Sequence, residues 1–346
     1  MLCAFAFAVP AKAAETGSSC DLNGDGALSA ADAALLLRGY PAGKITEFTN
    51  SDCDFTGNGQ IDRNDVRAML LYAAGGIPDT VKFRERVSSG LCDERLFDRF
   101  CYTGVINDLQ GDYRSKNVSI SISSGEWENS DYYLADIYVQ DIACFVTAFS
   151  QGEFRGSTAT VKAMFDSVDG GIVAMNGDFY SLHVYGPVIR NGVVYAGNVT
   201  RNWDVAVLLT SGELRTYDYR QLTKEELAGL SVYQTWVFGP SLLDEAGRAK
   251  TEFRSGVMPA NPRSVLGYYE PGHYAFLTVD GRSSVSKGLE MAKLSQLCEE
   301  LGFARAYNLD GGRSSILLSQ SGPINNPYKD GRPSSDIVAI RELPEE

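Results

Sequence analysis

Histidine is nearly missing from this chain: only His183 and His273 occur in 346 residues. A three-histidine zinc site is therefore impossible within one chain, and a His-carboxylate site needs both histidines to converge. Basic residues are also in deficit, with 31 Lys and Arg against 44 Asp and Glu, a formal charge of −13. No Lys/Arg run offsets a phosphate backbone, which argues against nucleic-acid binding. There is no C-x-x-C pair, so a zinc ribbon is not expected. No stretch approaches the roughly 18 continuous apolar residues of a membrane span. What remains is ordinary: 44% hydrophobic, 11% aromatic and 22% charged residues exclude a collagen-like or wholly disordered chain. The length suits one large domain and a small one.

The N-terminus carries a short apolar run, Met1 to Val9, then Pro10 and the small-residue pattern Ala11-Lys12-Ala13. This predicts a signal-peptide remnant over residues 1–14, although the basic n-region is missing, and hence a secreted protein. Without Cys3, six cysteines remain, and an even number fits an oxidising compartment.

An internal repeat follows. Asp21-Leu-Asn23-Gly-Asp25-Gly26 recurs as Asp54-Phe-Thr56-Gly-Asn58-Gly59. Each copy continues with Ser29 and Asp32, or Asp62 and Asp65, so oxygen side chains occupy loop positions 1, 3, 5, 9 and 12. The carbonyls of Ala27 and Gln60 stand at position 7. Ca²⁺ needs six to eight oxygens, and the glycine at position 6 permits the turn that gathers them. Calcium is thus the expected cofactor, held by Asp21, Asn23, Asp25, Ala27, Ser29 and Asp32, and by Asp54, Thr56, Asn58, Gln60, Asp62 and Asp65. Apolar-faced helices are predicted after each loop, at 30–37 and 63–72.

Neither loop has an entering helix, and position 12 is Asp where an EF-hand has Glu. These paired loop–helix units resemble the dockerin family over residues 18–76. The resemblance implies a small all-α module whose partner is a cohesin domain of an extracellular scaffold, placing the protein outside the cell or at its surface. Ala30-Ala31 and Arg63-Asn64, at the positions that help choose a cohesin, leave that partner open. Cys20 and Cys53 each precede the first ligand of a loop. Symmetry-related positions approach in a pseudo-twofold module, so a Cys20–Cys53 disulfide is expected.

Ala73-Ala-Gly75-Gly76-Ile-Pro78 closes the module with turn residues. Residues 77–116 read as a linker or helical lead-in. Beyond them, alternation predicts strands at 118–123, 132–139, 172–175, 205–209, 214–217, 232–238, 265–269, 274–279, 315–318 and 337–340. Helices are predicted at 158–167, 223–230 and 288–301. The expected class is α+β with a mixed sheet.

Four polar clusters sit at strand ends: Asn176-Gly177-Asp178, Asn261-Pro262-Arg263-Ser264, Asp280-Gly281-Arg282 and Asn308-Leu-Asp310-Gly311-Gly312-Arg313-Ser314. One Asp-Gly alone reads as a hairpin turn. Four in one domain point to a shared cleft, where Arg forks suit phosphate and carboxylates suit steps at a sugar carbon. His183 follows the first cluster, and His273, at the start of a strand, reads as structural.

The runs Val279-Asp-Gly-Arg282, Ser286-Lys-Gly-Leu289 and Asn308-Leu-Asp-Gly-Gly312 with Ser314 resemble the phosphodiester glycosidase family. Asn176-Gly177, Gly239-Pro240, Pro262-Arg263-Ser264 and Tyr133 to Val139 fit its other segments in order, so the match spans 117–342. Arg313 departs from the third glycine often found there, and Ser264 from a common threonine. The resemblance implies an enzyme that hydrolyses a sugar-1-phosphodiester, with an N-acetylglucosamine-type sugar, in a glycan or extracellular polysaccharide. Under it, Asp280, Asp310 and Asp178 are catalytic candidates. Arg263 and Arg282 hold phosphate, Asn176 and Asn308 bind sugar, and Gly311, Gly312 and Ser314 line the site. No cofactor is assigned to this domain. A non-catalytic carbohydrate-binding module of a scaffold complex is the alternative, and a calcium-dependent adhesin leaves the four clusters unexplained.

Overall fold

The computed structural model describes residues 20–25, 28–39, 53, 65–66, 69–70, 73, 90–101, 104–182, 186–199 and 202–344. The chain divides into two compact units, Met1–Ser89 and Gly90–Glu346.

In the first unit the repeat's first loop leads into helix α1, Ala30–Gly39. Asp32, in its first turn, is fully buried and accepts the amides of Leu22, Asn23 and Ser29 at 2.8, 3.1 and 2.9 Å. Burial raises its pKa, but the bonds from Ser29, Asn23 and Leu22 outweigh it and hold the carboxyl below its ordinary value. Asp21 accepts the amides of Gly24 and Asp25, and Asn23 donates to Asp25. Asp65, at the matching position of the second copy, is equally buried. Cys20 and Cys53 form the disulfide that the repeat predicts, with Cα atoms 5.1 Å apart. The other expected ligands, Ala27, Asp54, Thr56, Asn58, Gln60 and Asp62, lie outside the described residues, as does the segment 1–14.

The second unit is mostly β-sheet. Its seven-stranded sheet runs, in spatial order, β1 (Ile106–Asn107), β2 (Tyr113–Arg114), β3 (Val118–Trp127), β4 (Ser130–Val139), β13 (His273–Val279), β12 (Arg263–Glu270) and β14 (Arg305–Asn308). A five-stranded sheet runs β16 (Gly322–Pro323), β15 (Leu317–Ser319), β6 (Gly171–Asn176), β17 (Asp336–Arg341) and β5 (Phe145–Phe149). Three strands, β10 (Leu214–Tyr217), β9 (Val205–Leu209) and β11 (Val232–Trp236), and the pair β7 (Val188–Arg190) and β8 (Val193–Ala196) complete it.

Every strand pair among the described residues is antiparallel, which corrects the expected mixed sheet. The reason is connectivity. β3 and β4 join through Glu128-Asn129, both at positive φ, as a tight hairpin requires. The helical crossover α4 (Met291–Glu300) returns β14 beside β12 rather than β13, so that pair also opposes. The sheet begins at Ile106, so part of the 77–116 lead-in belongs to it.

Alternation sorts the side chains into layers. On β13, Tyr274 and Phe276 enter a central core with Phe145, Val173, Met175, Val338 and Trp236. Ala275, Leu277 and Val279 face the other way, onto Leu294, Leu297 and Cys298 of α4. The far face of the five-stranded sheet, through Ala174, Ile337 and Ala339, is covered by Val161, Met164 and Phe165 of helix α2 (Val161–Phe165). Truncating one of these core side chains costs about 2–5 kcal/mol. The rigid result is two sheets whose strand ends carry the polar clusters. His273 is structural: its ring lies between Tyr138 and Tyr269, 4.0 Å from each, with Nε2 2.6 Å from Asp136.

Candidate active site

The ends of β6, β12 and β14 meet through side-chain and backbone hydrogen bonds. Asn176, fully buried, donates to the Asp310 carbonyl at 2.8 Å and accepts from the Ser264 hydroxyl at 2.8 Å. Asn308 donates to the Gly239 carbonyl at 2.7 Å. Leu309 N–H donates to Ser264 and Gly312 N–H to Pro262. Asn176 thus ties β6 of the five-stranded sheet to the turn after β14 of the seven-stranded one, while Asn308 ties β14 to the loop after β11 and leaves its buried Oδ1 without a partner among the described residues.

Asp310 and Arg332 face each other in front of this frame. Arg332 Nη2 donates to Asp310 Oδ2 at 2.7 Å and its Nε to Ser314 Oγ at 2.7 Å. The carboxylate is 7% exposed and the guanidinium 36%, so the pair sits at an opening. Arg332 also lies 5.0 Å from the ring of Phe179, whose backbone is held at φ 53. Arg282, exposed and also left-handed at φ 60, stands over the Tyr328 ring and donates to Asn261. Non-glycine residues avoid that region by about 1–2 kcal/mol, and such strain gathers where side chains must be aimed. Gly312, at φ 66, passes so near Arg282 that a Cβ there would lie 3.0 Å from its Nη2.

Asp280 ends the next strand, 4% exposed, accepting Asn325 Nδ2 at 2.9 Å and Asn326 N–H and Nδ2 at 3.1 Å. Burial pushes its pKa up despite those bonds. Burial, with the charges of Asp280 and Asp131, also raises the Tyr133 hydroxyl, which accepts from Asn326.

Two candidates stand apart from this opening. Arg263 is 2% exposed and donates to the carbonyls of Leu289 at 2.9 Å and Pro259 at 2.6 Å. Burial, and then the charge of Arg282, brings its pKa down to about 10. Asp178 is paired with Arg190 at 3.0 Å, and the same Arg190 nitrogen is 3.0 Å from Asp336. All three are 1% exposed or less. Asp178 also takes the Val237 amide, and Asp336 takes that of Phe179. With one cation for two carboxylates, burial and the Asp178 charge push Asp336 up to about 7. His183 lies outside the described residues.

Sequence reasoning did not pick out Arg332, Asn325, Asn326, Tyr328 or Arg190. One signal was available: Asp330-Gly331-Arg332 repeats the triplet Asp280-Gly281-Arg282. Cavities of about 440, 570 and 680 Å³ elsewhere, lined for example by Asp112, Tyr195 and Lys250, share only Arg190 with these residues.

The sequence pattern of the phosphodiester glycosidase family matches residues 169–341, half of the chain and nearly all of the groups just described. The chain belongs to the phosphodiester glycosidase family. Among curated relatives, the SPbeta prophage-derived uncharacterized protein YomE of Bacillus subtilis (strain 168) is 25% identical over 162 residues. That alignment takes 45% of this glycosidase-family chain but only 25% of the relative, so the chain spans about a quarter of it. Among solved structures, the catalytic domain of zebrafish N-acetylglucosamine-1-phosphodiester alpha-N-acetylglucosaminidase, auto-inhibited by its pro-peptide, superposes with a TM-score of 0.52 at 18% identity. The overlap covers 65% of this chain and 83% of that one. A hypothetical protein from Synechocystis reaches 0.51 at 12% identity, over 66% and 63%. At these identities the likeness is one of fold.

Proposed function

We propose that the chain hydrolyses the bond between a sugar anomeric carbon and a phosphodiester. The observation that carries this reading is the exposed edge of the Asp310–Arg332 pair, with Arg282 beside the same Gly-Gly turn. A carboxylate paired with one guanidinium, with a second guanidinium beside the adjoining turn, is what such a substrate needs. The arginines take the phosphate oxygens, and the carboxylate stabilises a developing positive charge at the sugar carbon or accepts a proton from the attacking water. As the glycosidic C–O bond breaks, the electron pair leaves with the phosphate, which is already a good leaving group. Asp280, raised by burial, is the second carboxyl and the one suited to carry a proton near the reaction. Arg263 supports the wall from within, and Asp178 braces the end of β6 with Arg190 and Asp336.

The sugar we assign is of the N-acetylglucosamine type, from the family and from the activity that names the zebrafish enzyme. We further propose that the protein is exported and that residues 18–76 form a calcium-binding dockerin for a cohesin on an extracellular scaffold; the buried Asp32 with its three amide bonds supports a formed first loop. The test is incubation with UDP-N-acetylglucosamine and simple glycosyl phosphodiesters. Free sugar should appear with the wild-type chain and not with Asp310→Asn. Saturable sugar binding without any release would favour the non-catalytic carbohydrate-binding module.

A further inference from the structure

The segment from Asn325 to Arg332 crosses the front of the site and is tied to two of the four clusters. Asn325 and Asn326 bond Asp280, Tyr328 lies under Arg282, and Arg332 reaches Asp310 and Ser314. Its turn is conformationally costly. Lys329, Asp330 and Gly331 are consecutive left-handed residues, at φ 52, 57 and 83. Two of them are not glycine, at about 1–2 kcal/mol each. The third position favours glycine because of its φ of 83, and a Cβ there would also press on the Ile316 Cδ1 methyl, 2.4 Å away. Such a turn does not persist on its own propensity and must be held from outside.

The holder is Arg313. Its side chain leaves the Gly-Gly turn away from Asp310, and Nη2 donates to the Gly331 carbonyl at 2.8 Å, with a longer 3.5 Å approach to that of Lys329. The very next residue is Arg332. We infer that Arg313 is a positioning residue: by clamping the 329–331 turn it sets the Arg332 guanidinium at Asp310, ready for a phosphate. This rests on the reading of Arg332 as a phosphate group holder, and two measurements separate it from that of turnover.

The first is tryptic cleavage of the full chain at the Lys329–Asp330 bond, followed by mass spectrometry. Releasing the clamp frees the strained turn, so Arg313→Ala should be cut about fivefold faster or more, with Arg313→Lys in between. The second is the affinity for inorganic phosphate, by calorimetry, across Arg313→Ala, Arg332→Ala and the double variant. Arg313→Ala should weaken phosphate about tenfold, Arg313→Lys should recover part of the loss, and Arg313→Ala should cost nothing further once Arg332 is gone. Equal cleavage rates in wild type and Arg313→Ala overturn the clamp. Additive losses in the double variant, or no saturable phosphate binding by the wild type, overturn the positioning of Arg332. If both measurements come out as expected while no glycosyl phosphodiester is hydrolysed, the inference stands and the proposed reaction falls.

Discussion

Arg332 donates to the carboxylate of Asp310 at 2.7 Å across 22 residues of sequence, and with its Nε it holds the hydroxyl of Ser314. The bond joins the turn after β14 to the segment before β17. It therefore brings a strand end of the seven-stranded sheet and one of the five-stranded sheet to the same candidate site.

Asp310→Asn keeps the side-chain volume and removes the charge. Turnover should fall by at least about a thousandfold while the melting temperature and substrate affinity change little. A purely structural Asp310 gives the reverse: a lower melting temperature and activity in proportion to the folded fraction.

The two candidate phosphate arginines should separate cleanly. Arg282 is exposed, so Arg282→Lys should leave the melting temperature alone and lower kcat/KM about tenfold through loss of the planar fork. Arg263→Ala strands the buried carbonyl of Leu289 and removes the bond to Pro259, at a cost of about 2–3 kcal/mol in stability. Thermal melts and kinetics on the same two variants decide it. An unfolded Arg282→Lys or an unshifted Arg263→Ala would reverse these assignments.

The Asp178–Arg190–Asp336 brace predicts a pH dependence of stability. Asp336 keeps its proton to about 7 in the folded chain, whereas in the unfolded chain it loses it near the ordinary Asp value, about 4. Between those values the folded state binds more protons, so this group's contribution to stability is full below pH ~4 and is lost as pH rises to 7. Asp336→Asn keeps the acceptor for Arg190 and should flatten that slope. Melting temperatures of both proteins from pH 4.5 to 8 test this, and parallel curves would rule it out.

Calcium should order the first unit. Its first loop carries Asp21, Asp25 and Asp32 within twelve residues, so a bound Ca²⁺ would offset a repulsion between carboxylates that its removal restores. In the full chain, chelation should speed tryptic cleavage after Arg38 without opening residues 90–344. Identical digestion with and without chelator would count against calcium, and peptide mapping without reductant should recover Cys20 linked to Cys53 in either case.

Much of this site can be read from local sequence because turn chemistry is local. Asp280-Gly281-Arg282 and Asn308 to Ser314 announce strand ends that can approach a ligand, and they do end strands. Strands with one apolar face, such as 118–123, where Val118, Ile120 and Ile122 alternate with serines, show in the period of two. β5, Phe145–Phe149, does not, because both its faces are covered and apolar residues run through it without alternation. Arg190 gave no local sign either, since its carboxylate partners lie 12 and 146 residues away, and Arg332 shows only as a repeat of the Asp-Gly-Arg triplet, its partner Asp310 lying 22 residues back.

The sequence by itself determined the turns, the repeated Asp/Asn-Gly loops that each follow a cysteine, and the set of polar residues available at strand ends. Those follow from backbone preference and spacing within a few residues. Only the tertiary structure decided which arginines face outward. Burial gave Arg263 to backbone carbonyls and Asp178 to a buried cation, because an enclosed charge must be paired where it lies. It left Arg282 and Arg332 with solvent-facing guanidinium edges, and that division depends on how two antiparallel sheets stack rather than on any neighbour in the chain.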